Sequence, residues 1–121
     1  MSEHHEQVAL FSWAEYNFNK YPELRKMFAI PNGGKRHKKT AADLKKEGVK
    51  AGVPDIFLPV ARKGFHGLFI EMKKPKDHRS AAGRATKEQI TVMAGLDDEG
   101  YMTVLCVGFE AAKKTIEAYL S

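Results

Sequence analysis

The chain has one cysteine in 121 residues, Cys106, which rules out an intrachain disulfide and a cysteine-based zinc site; its place in an apolar run marks it as a packing residue. No apolar stretch approaches the roughly 20 residues that a bilayer-spanning helix requires. The opening MSEHHEQ is polar and partly acidic, unlike a secretory signal. Together these absences point to a cytoplasmic protein with no membrane segment. There is also no internal repeat, low-complexity tract or linker, so residues 1–121 read as a single domain long enough to bury a core. A 43% hydrophobic and 29% charged composition argues against wholesale disorder.

The net charge is +5, and its distribution is more telling than its size. Between Lys35 and Lys87 lie 15 of the 20 Lys and Arg residues but only five acids, Asp43, Glu47, Asp55, Glu71 and Asp77. A basic middle between acidic flanks is the footprint expected of a polyanion partner, nucleic acid first. A solvated lysine face on an ordinary domain would give the same count, so charge alone does not choose between the two.

Hydrophobic periodicity supplies the elements. Gln7, Leu10, Phe11, Ala14 and Phe18 repeat at helical spacing over residues 3–20, with Pro22 beyond. MFAIPNGG gives a short strand closed by the Pro31-Asn32-Gly33-Gly34 turn cluster, and the basic loop KRHKK follows. Thr40 with Asp43 opens a short helix that Gly48 ends. Residues 55–61 and 68–73 read as strands joined by a hairpin-type loop at 62–67. KPKDHRSAAGR is a polar, basic loop. Thr86 with Gln89 begins a helix running to about Asp98. Met102 to Val107 is a continuously apolar strand, expected to be central and buried, and a helix from Glu110 to Leu120 ends the chain. The order α-β-α-β-β-α-β-α is that of an α/β fold, a mixed β-sheet flanked by helices.

Three charges interrupt the apolar strands of GVPDIFLPVARKGFHGLFIEMKKP. Side chains alternate along a strand, so Phe69, Glu71 and Lys73 share one face and Leu68, Ile70 and Met72 the other. The start of one hairpin strand lies opposite the end of the next, which brings Asp55 to Glu71 and Lys73. Two adjacent carboxylates repel unless a cation joins them. A hard divalent ion, Mg²⁺ or Mn²⁺, suits such oxygen ligands, and the Met72 carbonyl between the charges offers a further oxygen. A metal so held polarises a phosphoryl oxygen and acidifies a bound water, while Lys73 orients that water or offsets charge on phosphorus. Simpler readings exist: Asp55 as a turn cap after Pro54, and Glu71 with Lys73 as a solvated pair on an edge strand.

Gly52-Val53-Pro54-Asp55 followed by Glu71-Met72-Lys73 resembles the PD-(D/E)xK nuclease signature. More narrowly, the chain resembles the virus-type replication-repair nuclease (VRR-NUC) family in its compact phage-encoded form. The likeness extends through Ser2-Glu3 with Gln7 and Trp13, Pro31 to Arg36, Leu44-Lys45, Gly67 to Lys73, Ser80 to Gln89 and Gly100-Tyr101. It implies a restriction-endonuclease-like core and Mg²⁺- or Mn²⁺-dependent cleavage of DNA. It also implies homodimers acting on branched or otherwise structured DNA, in the host cytoplasm if phage-encoded. Metal ligands map onto Asp55, Glu71 and the Met72 carbonyl, and the catalytic lysine onto Lys73. A helix-1 acid is also implied. Glu3, one turn from Gln7, fits that spacing, with Glu6 a quarter-turn away as the alternative. Gln89 maps to the site as well as to the capping box with Thr86. The long basic loop from Lys74 to Arg84 departs from the family pattern.

Asn32, Lys35, Arg36, Lys38 and Lys39, with Lys74, Lys76 and Arg79, are the expected contacts to the DNA backbone. The histidines, His4, His5, His37, His66 and His78, match no HxH or HExxH spacing and read as surface groups or secondary DNA contacts. Trp13, Tyr16 and Phe18 read as core or dimer contacts. The leading expectation is therefore a metal-dependent, structure-selective DNA endonuclease. A non-catalytic DNA-binding module that keeps the nuclease fold is the alternative. A sequence-specific restriction enzyme is the weaker third, since no base-reading element is recognisable.

Overall fold

The computed structural model describes residues 2–31 and 40–121. The expected turn at Asn32-Gly33-Gly34 and the basic residues Lys35, Arg36, Lys38 and Lys39 lie outside the described residues. The elements are α1 (Glu3–Tyr16), β1 (Phe28–Ala29), α2 (Ala41–Lys46), β2 (Ile56–Leu58), β3 (Leu68–Lys73), α3 (Lys87–Asp98), β4 (Met102–Val107) and α4 (Phe109–Leu120). A 3-10 turn at Pro22–Lys26 joins α1 to β1. Their order is the expected one.

Local chemistry sets the boundaries. α1 starts at Ser2, whose hydroxyl accepts from the His5 amide. It stops at Tyr16, four residues short of the expected end. There the Asn17 side-chain amide donates to the Trp13 carbonyl at 2.7 Å, a carbonyl that a continuing helix would reserve for the Asn17 backbone N–H. Thr40 caps α2 by accepting from the Asp43 amide at 3.1 Å. β2 ends at Leu58, because Pro59 brings no N–H to the ladder. The hairpin loop is tighter than expected: Arg62 and Phe65 exchange backbone bonds of 3.2 and 2.8 Å around Lys63 and Gly64, both at positive φ (54° and 87°). That is the geometry of a two-residue loop matched to strand twist.

The four strands form one mixed sheet in the order β1-β2-β3-β4, antiparallel except for the parallel β3–β4 pair. One face carries Ile56, Leu58, Leu68, Ile70, Met72 and Cys106, packed against Leu10 and Ala14 of α1 and Ala112, Ile116 and Tyr119 of α4. The Tyr119 hydroxyl donates to the Val60 carbonyl at 2.6 Å inside this core. The other face carries the aromatic row Phe28, Phe57 and Phe69, with Phe57 stacked on Phe69 at 4.2 Å, followed along β3 by Glu71 and Lys73. Trp13 and Phe18 pack on the core, whereas Tyr16 is exposed.

One expectation is corrected. Met102 to Val107, read as a central strand, is the terminal strand of the described sheet, and only Cys106 in it is fully buried. Its largely apolar run reflects helices on both faces, α4 on one and α3 on the other, rather than a central place. The strand buried at every position is β3, the one that carries the charges.

Gly52 ties the approach to Asp55 against the start of α3. Its φ is +90°, and a Cβ there would lie 2.6 Å from the Glu88 carbonyl carbon and oxygen. Gly52→Ala is expected to lower stability by about 1–3 kcal/mol from backbone strain alone, with the steric conflict in addition. A chemical-denaturation midpoint unchanged from wild type would refute this.

Candidate active site

The site is assembled at the mouth of the β2–β3 hairpin. Pro54, buried, biases Val53 to extended geometry on the approach to Asp55, and the Asp55 carbonyl accepts from the Ile30 amide at 2.7 Å, which fixes its backbone beside β1. β2 begins one residue later, so the Asp55 side chain takes the next position in the ladder: its Oδ2 accepts from the Met72 backbone N–H at 2.7 Å. Asp55 is thereby docked against the segment that carries Glu71 and Lys73.

Glu71 is 2% exposed and Lys73 7% exposed. The Lys73 ammonium stands 3.6 Å from Glu71 Oε2, and the Gln89 side-chain amide donates to the same oxygen at 2.9 Å. Gln89 has a second bond. Its Oε1 accepts from the Thr86 backbone N–H at 2.9 Å, while Thr86 Oγ1 accepts from the Gln89 backbone N–H at 3.2 Å. The two readings of Gln89, capping box and site contact, are therefore both present in the geometry.

The other Glu71 oxygen, Oε1, is buried and has no hydrogen-bond partner among the described residues. The Glu71 carboxyl is raised to about 8, by burial first and then by the charge of Asp55 beside it, which Lys73 only partly offsets. The donor set is thus deficient in positive charge. Asp55 Oδ2 and Glu71 Oε2 are committed within the protein, leaving Oδ1 and Oε1 for a cation. Backbone groups alternate sides along a strand. Since the Lys73 carbonyl accepts from the Gly108 amide on the β4 side at 2.9 Å, the Met72 carbonyl is directed to the Asp55 side. Two carboxylate oxygens and a carbonyl fit a hard divalent ion. Among the described residues no group of three or more His, Cys, Asp and Glu side chains is arranged to hold a metal, so such an ion would keep waters or take substrate oxygens for its remaining ligands.

A solved structure described as a VRR_NUC domain protein is similar to this chain with a TM-score of 0.78 and 30% sequence identity, over 99% of this chain and 88% of that one. The chain belongs to the VRR-NUC family. Its mixed sheet flanked by helices is that family's nuclease fold. No protein-family model and no curated protein matches the sequence.

Placed on this VRR-NUC fold, the remaining expected residues divide. Glu3 is exposed on α1, and Gln7 lines a groove along α1 with His4, Val8 and Phe11. The inward acid is Glu6, 7% exposed. The buried stripe runs Glu6, Leu10, Ala14 at i, i+4, and the Glu3–Gln7 stripe lies beside it. α1 packs on the sheet face opposite Glu71. From there Glu6 Oε1 accepts from the Phe109 N–H at 2.8 Å, closing the first turn of α4 rather than reaching Asp55. Lys76 and Arg79 are exposed. Lys74 turns its ammonium back into its own loop, onto Ser80 Oγ and the Ala81 carbonyl. Glu6, the alternative helix-1 acid, had a signal in its spacing to Leu10 and Ala14; Gly83, which lies on the Lys73 stem, had none.

Two outcomes follow from these contacts. A carboxyl raised from 4.5 to about 8 binds a proton that the unfolded chain has released, so its contribution to stability is full below pH 4.5 and is lost as pH rises toward 8. Thermal melts without divalent metal should therefore show the melting temperature falling across that window, and Glu71→Gln should flatten the fall. Glu6→Ala should cost about 1–3 kcal/mol in denaturant unfolding by leaving the Phe109 N–H unsatisfied. Glu6→Gln, which keeps the acceptor oxygen, should recover most of that loss, and equal losses in the two variants would refute the capping role.

Proposed function

We propose that this VRR-NUC protein is a Mg²⁺- or Mn²⁺-dependent DNA endonuclease that hydrolyses phosphodiester bonds and selects branched or otherwise structured DNA. The observation that carries the proposal is the buried Glu71 Oε1 left without a partner beside the Asp55 carboxylate, with the Lys73 ammonium on the far oxygen of the same group. Asp55, Glu71 and the Met72 carbonyl would hold the ion, which when bound supplies Lewis acidity toward a phosphoryl oxygen and a more acidic water.

The protein's own groups do the rest. Gln89 fixes the Glu71 carboxylate through Oε2, so Oε1 keeps a constant direction. The Met72 N–H does the same for Asp55. Lys73 presents an ammonium at the edge of the pair, where it hydrogen-bonds the attacking water or the oxygen on which negative charge develops as the P–O bond to the leaving nucleotide breaks. Lys76, Arg79 and Arg84, exposed on the 74–84 loop, meet phosphates next to the cut, with Asn32, Lys35, Arg36, Lys38 and Lys39 as further contacts. These contacts are to the backbone, so the enzyme reads shape rather than bases and its binding weakens steeply with salt. On this reading it works as a homodimer, which sets two such sites on one branched substrate.

The test is a cleavage panel of flap, fork, four-way and linear DNAs with Mg²⁺ and with Mn²⁺. The wild type should cut at least one branched substrate in preference to linear duplex. Asp55→Ala should lower the rate at least about 100-fold while leaving DNA binding within a few-fold. Cleavage by Asp55→Ala at the wild-type rate would overturn the metal site. Binding without cleavage of any substrate by the wild type would instead identify a non-catalytic DNA-binding module.

A further inference from the structure

We infer that Gly83 is a positioning residue for Lys73: the segment 74–84 folds back as a strap whose Gly83 lies on the lysine's aliphatic stem and holds its ammonium against Glu71. The inference rests on the nuclease reading for the role of that ammonium, and on packing alone for its placement.

A lysine stem has four freely rotating carbons, and burying it costs up to about 2 kcal/mol of rotamer entropy unless neighbours enclose it. Lys73 is nevertheless 7% exposed, and its ammonium is held 3.6 Å from Glu71 Oε2. The strap provides the enclosure. It leaves β3 at Lys74, turns at Asp77, and returns so that the Gly83 N–H donates to the Lys74 carbonyl at 3.1 Å. Asp77 Oδ1 accepts from the Arg79 and Ser80 amides at 2.8 and 2.9 Å, which makes the turn. The Lys74 ammonium closes the strap from within, on Ser80 Oγ and the Ala81 carbonyl. This explains why a lysine next to the site is not free for phosphate.

The glycine is required by its neighbour rather than by its own backbone. Gly83 is not among the glycines with positive φ, so its conformation is open to alanine. A Cβ there, however, would stand 3.1 Å from Lys73 Cδ, 3.2 Å from Cβ and 3.5 Å from Cγ. These atoms form the root and middle of the stem, not its free end. A methyl group at position 83 therefore makes the Lys73 stem give by a few tenths of an ångström at its root and middle, and the ammonium shifts with it.

The experiment compares wild type, Gly83→Ala, Lys73→Ala and the double variant as full chains, on a branched DNA that the wild type cuts. Gly83→Ala should lower kcat about 10-fold or more with KM for DNA nearly unchanged, because a misplaced catalytic group is lost in the transition state and not in binding. The double variant should be no slower than Lys73→Ala, since a residue acting only through Lys73 has nothing left to act on. A second readout needs no activity: acylation of each lysine by an N-hydroxysuccinimide ester, read by mass spectrometry. Lys73 should be shielded relative to exposed Lys76, and Gly83→Ala should raise its reactivity. Lys74→Met, which opens the strap without adding bulk, should raise it too and serves if Gly83→Ala folds poorly. Three results would each overturn the inference: wild-type kcat in Gly83→Ala, an equal loss in the Lys73→Ala background, or Lys73 as reactive as Lys76 in the wild type. A wild type that shields Lys73 but cuts no DNA overturns the nuclease reading and leaves the placement standing.

Discussion

Burying one carboxylate beside another is unfavourable unless something positive is brought to them, and much of the arrangement around β3 answers that single constraint. Glu71 sits in the one strand covered at every position. Around it the chain gathers an ammonium, a side-chain amide and the edge of a second acidic group, and it still leaves one oxygen unpaired. A purely structural core would have used valine there. The sheet accepts the cost because strand geometry does the aiming: alternation turns Glu71 and Lys73 to one side, and antiparallel register carries Asp55 to meet them. The opposite face is left free for ordinary apolar packing, so stability and chemistry occupy separate sides of the same strand.

That separation explains which parts of the protein were legible from sequence. The element order, the capping of α2 and α3 and the two-faced character of β3 are written in local patterns of period 2 and 3.6, and they could be read directly. So could the convergence of Asp55, Glu71 and Lys73, since hairpin geometry has few solutions. The sheet position of β4 could not. An apolar run reports that both faces are covered, not how many strands lie beyond. On α1 the spacing fits both Glu3 and Glu6, three positions and about 60° apart around the helix, and only the sheet beneath decides that Glu6 is the buried one. The strap was illegible for a different reason. Its shape depends on bonds between Lys74, Asp77, Ser80 and Ala81 and on contact with Lys73, and such bonds leave no periodicity.

Membership of the VRR-NUC family brings these observations under one description without replacing them. At 30% identity most side chains differ from the similar structure, and the fold is kept across nearly the whole chain. Here the corner between β4 and α4 shows how tightly that fold is closed. Gly108, at φ +89°, leaves room for Pro75 on one side and Glu6 on the other, and its amide binds the Lys73 carbonyl. Thus the end of the charged strand, the first turn of α4 and the acid of α1 meet at one backbone position, and a disturbance at any of them would be felt by the strand that holds Glu71.

Gln89 carries a further implication. A side-chain amide can ordinarily turn over, presenting either its NH₂ or its oxygen to a neighbour at little cost. Here the Thr86 N–H has claimed the oxygen, so only the NH₂ can face Glu71. The polarity of that contact is therefore decided by how the helix begins. The first turn of α3 acts as a keyway that admits the amide in one orientation, and the direction of Glu71 is inherited from the start of a helix on the far side of a basic loop.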